Sequence, residues 1–228
     1  MRIRELLEGR NHPIIVVDVQ PEYSGVMDGD ENPVFTQIIQ FVNNQTGPVL
    51  FFVNGEDTGL TGDTIDGIKQ YWEDTICQTD YESIQEPYDL DDEDDYQDYD
   101  ECDNPINWSR FEIVDKGFGF FRGLMDNGVP ENVIIRIIRT MYQQGVNDSR
   151  ELFGGDDPDY YNNMMNLGLD VEDHPDPVIT EWTSVAQLKK YSGAYIMGGG
   201  RHECLREVEI LMNAFNIKYK RIDQLVYG

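Results

Sequence analysis

The sequence is short of basic residues, of cysteine and of long apolar segments. It has 17 Lys and Arg residues against 44 Asp and Glu residues, which gives a formal net charge of −27. A surface of this charge repels nucleic-acid phosphates and anionic membrane surfaces, so we expect neither as a partner. No apolar run approaches the roughly 18 residues that indicate a membrane span. Residues 1–8 are charged and lack the apolar core of a signal peptide, which predicts a cytoplasmic protein.

The cysteines are also too few for a disulfide-rich fold. There are three of them, Cys77, Cys102 and Cys204. An odd and sparse count does not indicate a disulfide framework. A single bridge between Cys77 and Cys102 remains an alternative.

The chain nevertheless has enough apolar sequence for a sizeable core. Its 228 residues are 39% hydrophobic, and no linker rich in Pro, Gly or Ser divides them, so we predict one α/β domain over residues 1–228. The continuous apolar runs at 13–19 and 49–53 are typical of strands buried on both faces of a parallel sheet. Further strands are predicted at 110–114, 194–197 and 217–222, and helices at 34–43, 64–76, 131–144, 183–191 and 202–215.

This alternation predicts a doubly wound, mainly parallel sheet with helices on both faces, a three-layer Rossmann-like arrangement with surface insertions. One insertion is predicted at residues 80–107, which are dense in Asp, Glu and Tyr and read as a solvated surface segment. A calcium loop is the alternative. The acidic tract has no glycine at the sharp-turn position and no clear flanking helix pair, both of which disfavour calcium binding.

Three polar residues follow predicted strands, where α/β sheets form their sites. Asp18 ends the first strand, Lys116 follows the third, and Cys204 opens the helix after the fourth. A cysteine is nucleophilic as the thiolate, which a helix N-terminus and a nearby lysine both favour. A carboxylate could accept the thiol proton and later activate water. These residues therefore predict a nucleophilic site.

A glycine turn precedes the cysteine. Residues 198–200, Gly-Gly-Gly, let the backbone approach a ligand, and their N–H groups with that of Cys204 could stabilise an oxyanion. Each feature also has a purely structural interpretation. Cys204 could be a small core residue, the glycines an ordinary turn, Asp18 a turn cap and Lys116 a surface lysine.

Three segments together resemble one enzyme family. Residues 16–23, Val-Val-Asp-Val-Gln-Pro-Glu-Tyr, look like the first-strand motif of the isochorismatase and nicotinamidase family, an apolar strand followed by Asp-x-Gln and an aromatic residue. Residues 115–121, Asp-Lys-Gly-Phe-Gly-Phe-Phe, look like its lysine segment. Residues 184–205 resemble its third block, in which a cysteine lies six residues after the glycine that ends a strand.

The resemblance implies a catalytic triad of Asp18, Lys116 and Cys204. In this family the cysteine attacks an amide carbonyl and forms an acyl-enzyme, while the aspartate moves protons and the lysine stabilises charge. A cis peptide shapes the family's oxyanion hole, and here it would match Gly199–Gly200. The donors would be the N–H groups of Gly200 and Cys204. The implied function is hydrolysis of a small-molecule amide.

Further residues are assigned to substrate binding by the same resemblance. The first-strand motif contributes Gln20 and Tyr23. Arg201 stands where the family often has threonine; it could bind an anionic substrate group or be a surface residue at the start of a helix. His202 is two residues from the cysteine, too close in sequence to face it on a helix, and we expect it at the pocket entrance or in solvent.

The sequence also departs from the family. Residues 54–58, Asn-Gly-Glu-Asp-Thr, lack the histidine of the nicotinamidase metal site, so we expect no metal, and we expect no other cofactor. Relative to the family, residues 127–180 are a second insertion beside the acidic tract. Family members usually form oligomers, which implies a homo-oligomer here.

Two other functions remain alternatives. An isochorismatase-like fold without catalysis could act as a binding or interaction protein through its insertions. A phosphate-binding α/β domain could use the glycine turn, but the acidity of the chain and the lack of a Walker lysine at this turn argue against it.

Overall fold

A computed structural model describes residues 11–24, 33–54, 64–84, 104–119, 121–154, 162–163 and 177–228, and the side chains of 78–84 are not among the described parts. A parallel sheet of five strands lies at the centre, formed by β1 (Ile14–Val17), β2 (Val49–Val53), β3 (Phe111–Asp115), β6 (Ala194–Gly198) and β7 (Tyr219–Arg221). Across the sheet the strands follow the order β3-β2-β1-β6-β7. The predicted α/β fold with a parallel sheet is therefore confirmed.

The central strands form because their sequences are continuously apolar. All residues of β1 and β2 are buried, as the uninterrupted runs Ile-Ile-Val-Val and Val-Leu-Phe-Phe-Val predict for strands covered on both faces. β1 is the middle strand, with Val17 paired to Phe52 on one side and to Gly198 on the other. The residue that follows Val17 therefore lies at the middle of the carboxyl edge of the sheet.

Successive residues of each strand point to opposite faces, and helices cover both. One core cluster joins Ile14, Val16 and Phe51 to two helices. These are α1 (Pro33–Asn43) and α2 (Ile65–Ile84). The other cluster joins Ile15 and Phe52 to helices on the second face. These are α3 (Phe121–Asp126), α4 (Glu131–Gln144), α6 (Trp182–Lys190) and α7 (Cys204–Ala214), and the short α5 is Arg150–Phe153.

A small second sheet borders the site. β4 (Phe118–Gly119) pairs antiparallel with β5 (Ile179–Thr180), and the sequence patterns did not predict these two-residue strands. Short 3₁₀ helices occupy Pro21–Tyr23, Trp108–Arg110 and Asp223–Leu225. The small sheet brings residues near position 179 beside Lys116, although the two segments are far apart in the sequence.

The two predicted insertions are described only in part. Of the acidic tract, α2 extends to Ile84 and residues 104–107 are described, whereas 85–103 lie outside the described residues. Within 127–180, the buried residues Ile134, Ile138 and Met141 of α4 pack into the same core cluster as α7. Whether either segment is an insertion relative to the family stays a prediction.

Cys77 bears on the prediction that the cysteines form no disulfide framework, beside which a single Cys77–Cys102 bridge was the alternative. It is disulfide-bonded, while Cys204 has a free thiol. Cys102, its partner in the single bridge given as an alternative above, lies outside the described residues. Among the helices that the structure describes, none has both the length and the apolar character needed to cross a membrane.

Candidate functional site

The three residues predicted to form a nucleophilic site meet at the carboxyl edge of the sheet. Asp18 directly follows β1, Lys116 directly follows β3, and Cys204 is the first residue of α7. Lys116 Nζ lies 3.8 Å from Asp18 Oδ2. Lys116 and Cys204 line one cavity. Strand order explains this convergence, because β1 lies between the strand that precedes Lys116 and the strand that precedes Cys204.

Asp18 is a fully buried carboxyl group. Its φ of 50° is unusual for a residue other than glycine, and its N–H donates to Phe52 O at 2.9 Å. Neither carboxyl oxygen has a hydrogen-bond partner at ordinary distance among the described residues. Burial raises the pKa of Asp18, and the Lys116 ammonium and the Cys204 thiol oppose this only in part. Such a carboxylate is a stronger base than an exposed one.

Lys116 is a buried cation between two carboxylates. Its N–H donates to Val53 O at 2.9 Å, which fixes the backbone at the strand end. Its Nζ donates to Glu207 Oε2 at 3.0 Å, closer than the 3.8 Å to Asp18. Burial alone would lower the pKa of Lys116, but the two carboxylates outweigh it and raise the pKa. The ammonium is therefore permanently charged at neutral pH.

Cys204 does not have the lowered pKa that its position predicts. Burial raises the pKa of the thiol to about 12, and the carboxylates of Asp18 and Glu207 add to this, against the lowering effect of Lys116. The expectation rested on the helix N-terminus and the lysine, and it is wrong because desolvation and negative charge are larger effects. The resting thiol is protonated, so it needs a base at the moment of attack.

The glycine turn packs closely against β1, and it lacks the predicted cis peptide. Gly198 and Gly199 have φ of 78° and 55°, and Gly199 N–H donates to Val17 O at 2.7 Å. A Cβ at Gly198 would overlap that same carbonyl oxygen. No cis peptide bond occurs among the described residues, so the cis bond expected at Gly199–Gly200 is wrong. The N–H groups of Gly200 and Cys204 donate to no acceptor in the described part of the chain and remain free for an oxyanion.

Gln20 and Tyr23 lie at the site in different roles. Gln20 is fully buried and clamps β1 to β2, since its Nε2 donates to Asn54 O at 3.0 Å and its Oε1 accepts from Asn54 N–H at 2.9 Å. The Tyr23 hydroxyl accepts from Asn54 Nδ2 at 2.9 Å. Tyr23 and Asn54 line the cavity, whereas Gln20 holds the strand ends behind them.

Arg201 and His202 lie outside the cavity lining. Arg201 donates to Asp223 O at 3.2 Å and lies 3.6 Å from the carboxylate of the same residue. His202 is exposed. Arg201 therefore lies where the alternative placed it, near the surface at the start of a helix.

The cavity has a volume of about 510 Å³. Several of its lining residues were not predicted from sequence, namely Glu207, Glu181, Arg122 and Ile179. Glu207 could have been found, because it lies three residues after Cys204 and therefore on the same helix face. Among the described residues, the lining consists of Tyr23, Asn54, Lys116, Gly117, Phe118, Gly119, Arg122, Ile179, Glu181, Cys204 and Glu207.

The described residues do not suggest a metal site. Among them, no three His, Cys, Asp or Glu side chains are arranged to hold a metal ion. The cavity lining combines a thiol, two carboxylates, an ammonium and a guanidinium, a set suited to nucleophilic and acid–base chemistry. No family model, no curated protein and no solved structure matches the chain.

Proposed function

We propose that this protein is a cysteine hydrolase that cleaves an amide C–N bond of a small molecule through an acyl-enzyme on Cys204. The observation that carries the proposal is the convergence of Asp18, Lys116 and Cys204 at the carboxyl edge of the sheet, where the lysine and the cysteine line one cavity and the buried aspartate lies beside the lysine. The three motif blocks that resemble the isochorismatase family supply these same residues. We therefore also propose membership of that family, with a cytoplasmic location and a homo-oligomeric state.

Asp18 begins the reaction by taking the thiol proton of Cys204. Its raised pKa makes the carboxylate a suitable base, and the thiol needs one because its own pKa is about 12. The sulfur then attacks the amide carbonyl carbon. Negative charge moves to the carbonyl oxygen, where the free N–H groups of Gly200 and Cys204 are its proposed donors.

The proton on Asp18 then goes to the leaving nitrogen. The C–N bond breaks, an amine or ammonia departs, and a thioester to Cys204 remains. Asp18, ionised again, takes a proton from water as the water attacks the thioester. The tetrahedral intermediate collapses, the carboxylic acid leaves, and the proton returns to the sulfur. Every proton thus passes through one buried carboxyl group.

Lys116 and Glu207 set the charge around that carboxyl group. The Lys116 ammonium stabilises the ionised form of Asp18, while Glu207 neutralises much of its charge from 3.0 Å. Lys116 thereby favours the ionised form of Asp18, while the pKa of Asp18 stays above its ordinary value and the carboxylate remains a good base. Glu207 is a positioning residue in this scheme, since it acts on Asp18 through the lysine and through its own charge.

The test is release of amine or ammonia from a panel of small amides. Hydroxylamine in the assay intercepts the thioester as a hydroxamate, and intact-protein mass spectrometry detects the acyl group on Cys204. Cys204→Ser and Lys116→Met abolish both signals, whereas Lys218→Met, which changes an exposed lysine elsewhere, retains them. Turnover that survives in Cys204→Ser would contradict the proposal.

A binding or interaction protein without catalysis is the second candidate. The raised pKa of Cys204 favours it, because a protonated thiol is a poor nucleophile on its own. Saturable binding of amides to the cavity, with neither hydrolysis nor an acyl adduct, would establish this candidate and overturn the hydrolase.

A further inference from the structure

The cavity holds one charged side chain without a partner. Lys116 lies between two carboxylates, and Arg122 pairs with Asp126 at 3.5 Å and with Glu203 at 3.1 Å. Within the described part of the chain, the carboxylate of Glu181 makes neither an ion pair nor a hydrogen bond, although it lines the same cavity. The lining itself carries two carboxylates and two cations, but both cations are already paired with carboxylates, which leaves the charge of Glu181 unbalanced.

Glu181 is held against the wall by its backbone. Its N–H donates to Gly117 O at 2.7 Å, which ties the start of α6 to the residue after Lys116. A Cβ at Gly117 would lie 3.1 Å from Glu181 Oε2, so the carboxylate rests directly on the glycine. Gly117 also has a φ of 54°, which favours glycine there. The residue next to the catalytic lysine thus leaves room for this carboxylate.

The surroundings increase the negative potential. In the described part of the chain, five carboxyl groups and only two cations lie in or beside the cavity: Asp18, Asp126, Glu181, Glu203 and Glu207 against Lys116 and Arg122. The thiol of Cys204 and the hydroxyl of Tyr23 show the effect of this negative potential on their pKa values. The Asp18 carboxylate adds to the rise in pKa that burial causes for both Cys204 and Tyr23.

We propose that the cavity selects small amides that carry an ammonium or guanidinium group near the scissile bond, with Glu181 as the counter-ion, and excludes anionic amides. The identity of the ligand as an amide rests on the proposed function, but the charge preference of the cavity does not. Phe118 and Ile179 provide apolar wall for a short carbon chain between the two groups. A volume of about 510 Å³ fits a small molecule of this kind.

Charged thiol reagents test the charge preference without any need for hydrolysis. Three methanethiosulfonates react with the same sulfur and carry a trimethylammonium, a hydroxyl or a sulfonate group. Each rate at Cys204, followed by intact mass, is divided by the rate with free 2-mercaptoethanol, and Cys204→Ser identifies the modified residue. Because the thiol is common to all three, its pKa cancels from the ratios. We expect the cationic reagent to react at least about tenfold faster than the anionic one.

Glu181→Gln should lower this cation-to-anion ratio at least about threefold, since it removes a unit charge from the wall. Asp66→Asn is the matched control, because it removes one exposed carboxylate from α2 on the opposite face of the sheet. The ratio should remain unchanged in this control. Added salt should lower the wild-type ratio by screening. A ratio near one, or a ratio that Glu181→Gln leaves unchanged, would overturn the inference.

Matched amides then test the substrate class. Glycinamide, propionamide and malonamate are close in size and carry positive, zero and negative charge at neutral pH. We expect kcat/KM to fall in that order, and the difference between the cationic and the anionic amide to become smaller in Glu181→Gln. Faster hydrolysis of malonamate would overturn the inference and leave the hydrolase intact. A cationic preference in thiol labelling with no hydrolysis of any amide would support the charge selection and overturn the hydrolase.

Discussion

At the scale of single residues, the buried carboxylate of Asp18 lowers the stability of the folded protein at neutral pH. The pKa of Asp18 is higher in the folded protein than the ordinary aspartate value of 3.8. Its favourable contribution to folding stability is therefore complete below pH 3.8 and is lost as the pH rises through the folded-state pKa. Asp18→Asn should therefore be more stable than wild type at pH 7, by about 1–3 kcal/mol. Lys116 keeps Glu207 as a partner at 3.0 Å in this variant, so no cation is left unpaired.

Thermal unfolding measured between pH 3.5 and pH 8 checks this expectation. The advantage of Asp18→Asn should shrink as the pH falls, because wild-type Asp18 becomes neutral. Asp66→Asn, at an exposed position, should change stability by less than about 0.5 kcal/mol. An Asp18→Asn protein that is less stable than wild type at pH 7 would refute the argument.

The same substitution should change thiol reactivity and hydrolysis in opposite directions. The Asp18 carboxylate helps to hold the pKa of Cys204 at about 12, so the pKa falls when the charge is removed. Iodoacetamide should then alkylate Cys204 faster in Asp18→Asn than in wild type at pH 8. Amide hydrolysis should be lost under the proposed mechanism, in which Asp18 is the base. If both rates fall together, Asp18 acts on the thiol in some way other than as a nearby negative charge.

Glu207 should tune the pH dependence of the reaction. Its charge raises the pKa of both Asp18 and Cys204, so Glu207→Gln should move the acid limb of kcat/KM to lower pH. Glu209→Gln is the matched control in the same helix. Glu209 is buried and paired with Arg206 and Arg221 away from the cavity, so this variant should lose stability with an unmoved profile. Equal pH profiles in the two variants would count against a positioning role.

At the scale of elements, the turn between β6 and α7 depends on glycine. Gly198→Ala should destabilise the protein by at least about 2 kcal/mol, because its φ is 78° and a Cβ would overlap Val17 O. Gly123→Ala is the control, since nothing lies within 4 Å of its Cβ position. In α3 this control should gain about 0.5–1 kcal/mol. Urea unfolding of both variants provides the measurement, and equal stabilities would refute the strain.

The main elements could be predicted because their signals are local. The apolar runs at Ile14–Val17 and Val49–Val53 identify buried strands, and alternation with helices implies a parallel sheet. The two-residue strands Phe118–Gly119 and Ile179–Thr180 could not be predicted. They owe their pairing to each other, across a separation of sixty residues, and not to a pattern in either sequence.

The same contrast between local signals and contacts between distant segments applies to the candidate site. Asp18, Lys116 and Cys204 follow strands, so topology alone places them at one edge. Glu181 reaches the cavity through the pairing of its backbone with Gly117, a contact that no local pattern encodes. The pKa of Cys204 likewise depends on burial and on carboxylates contributed by separate elements.

At the scale of the whole molecule, the net charge of −27 should weaken the folded state through self-repulsion. Sodium chloride screens this repulsion, so the melting temperature should rise by a few degrees between about 20 and 200 mM. Chloride is preferred to sulfate, which stabilises proteins by exclusion from their surfaces. A melting temperature that stays constant or falls over this range would show that local ion pairs outweigh the net charge.

One hydrogen bond relates the site to the order in which the protein is made. The Tyr227 hydroxyl donates to Asp18 O at 2.8 Å across 209 residues of sequence, and Tyr227 also bridges to Gly200. A nascent chain on the ribosome therefore has its first two strands long before it can form this hydrogen bond. Contacts this distant in sequence form late and slowly. The contact between Tyr227 and the backbone of Asp18 can thus form only after the segments that carry Asp18, Lys116 and Cys204 have all been made.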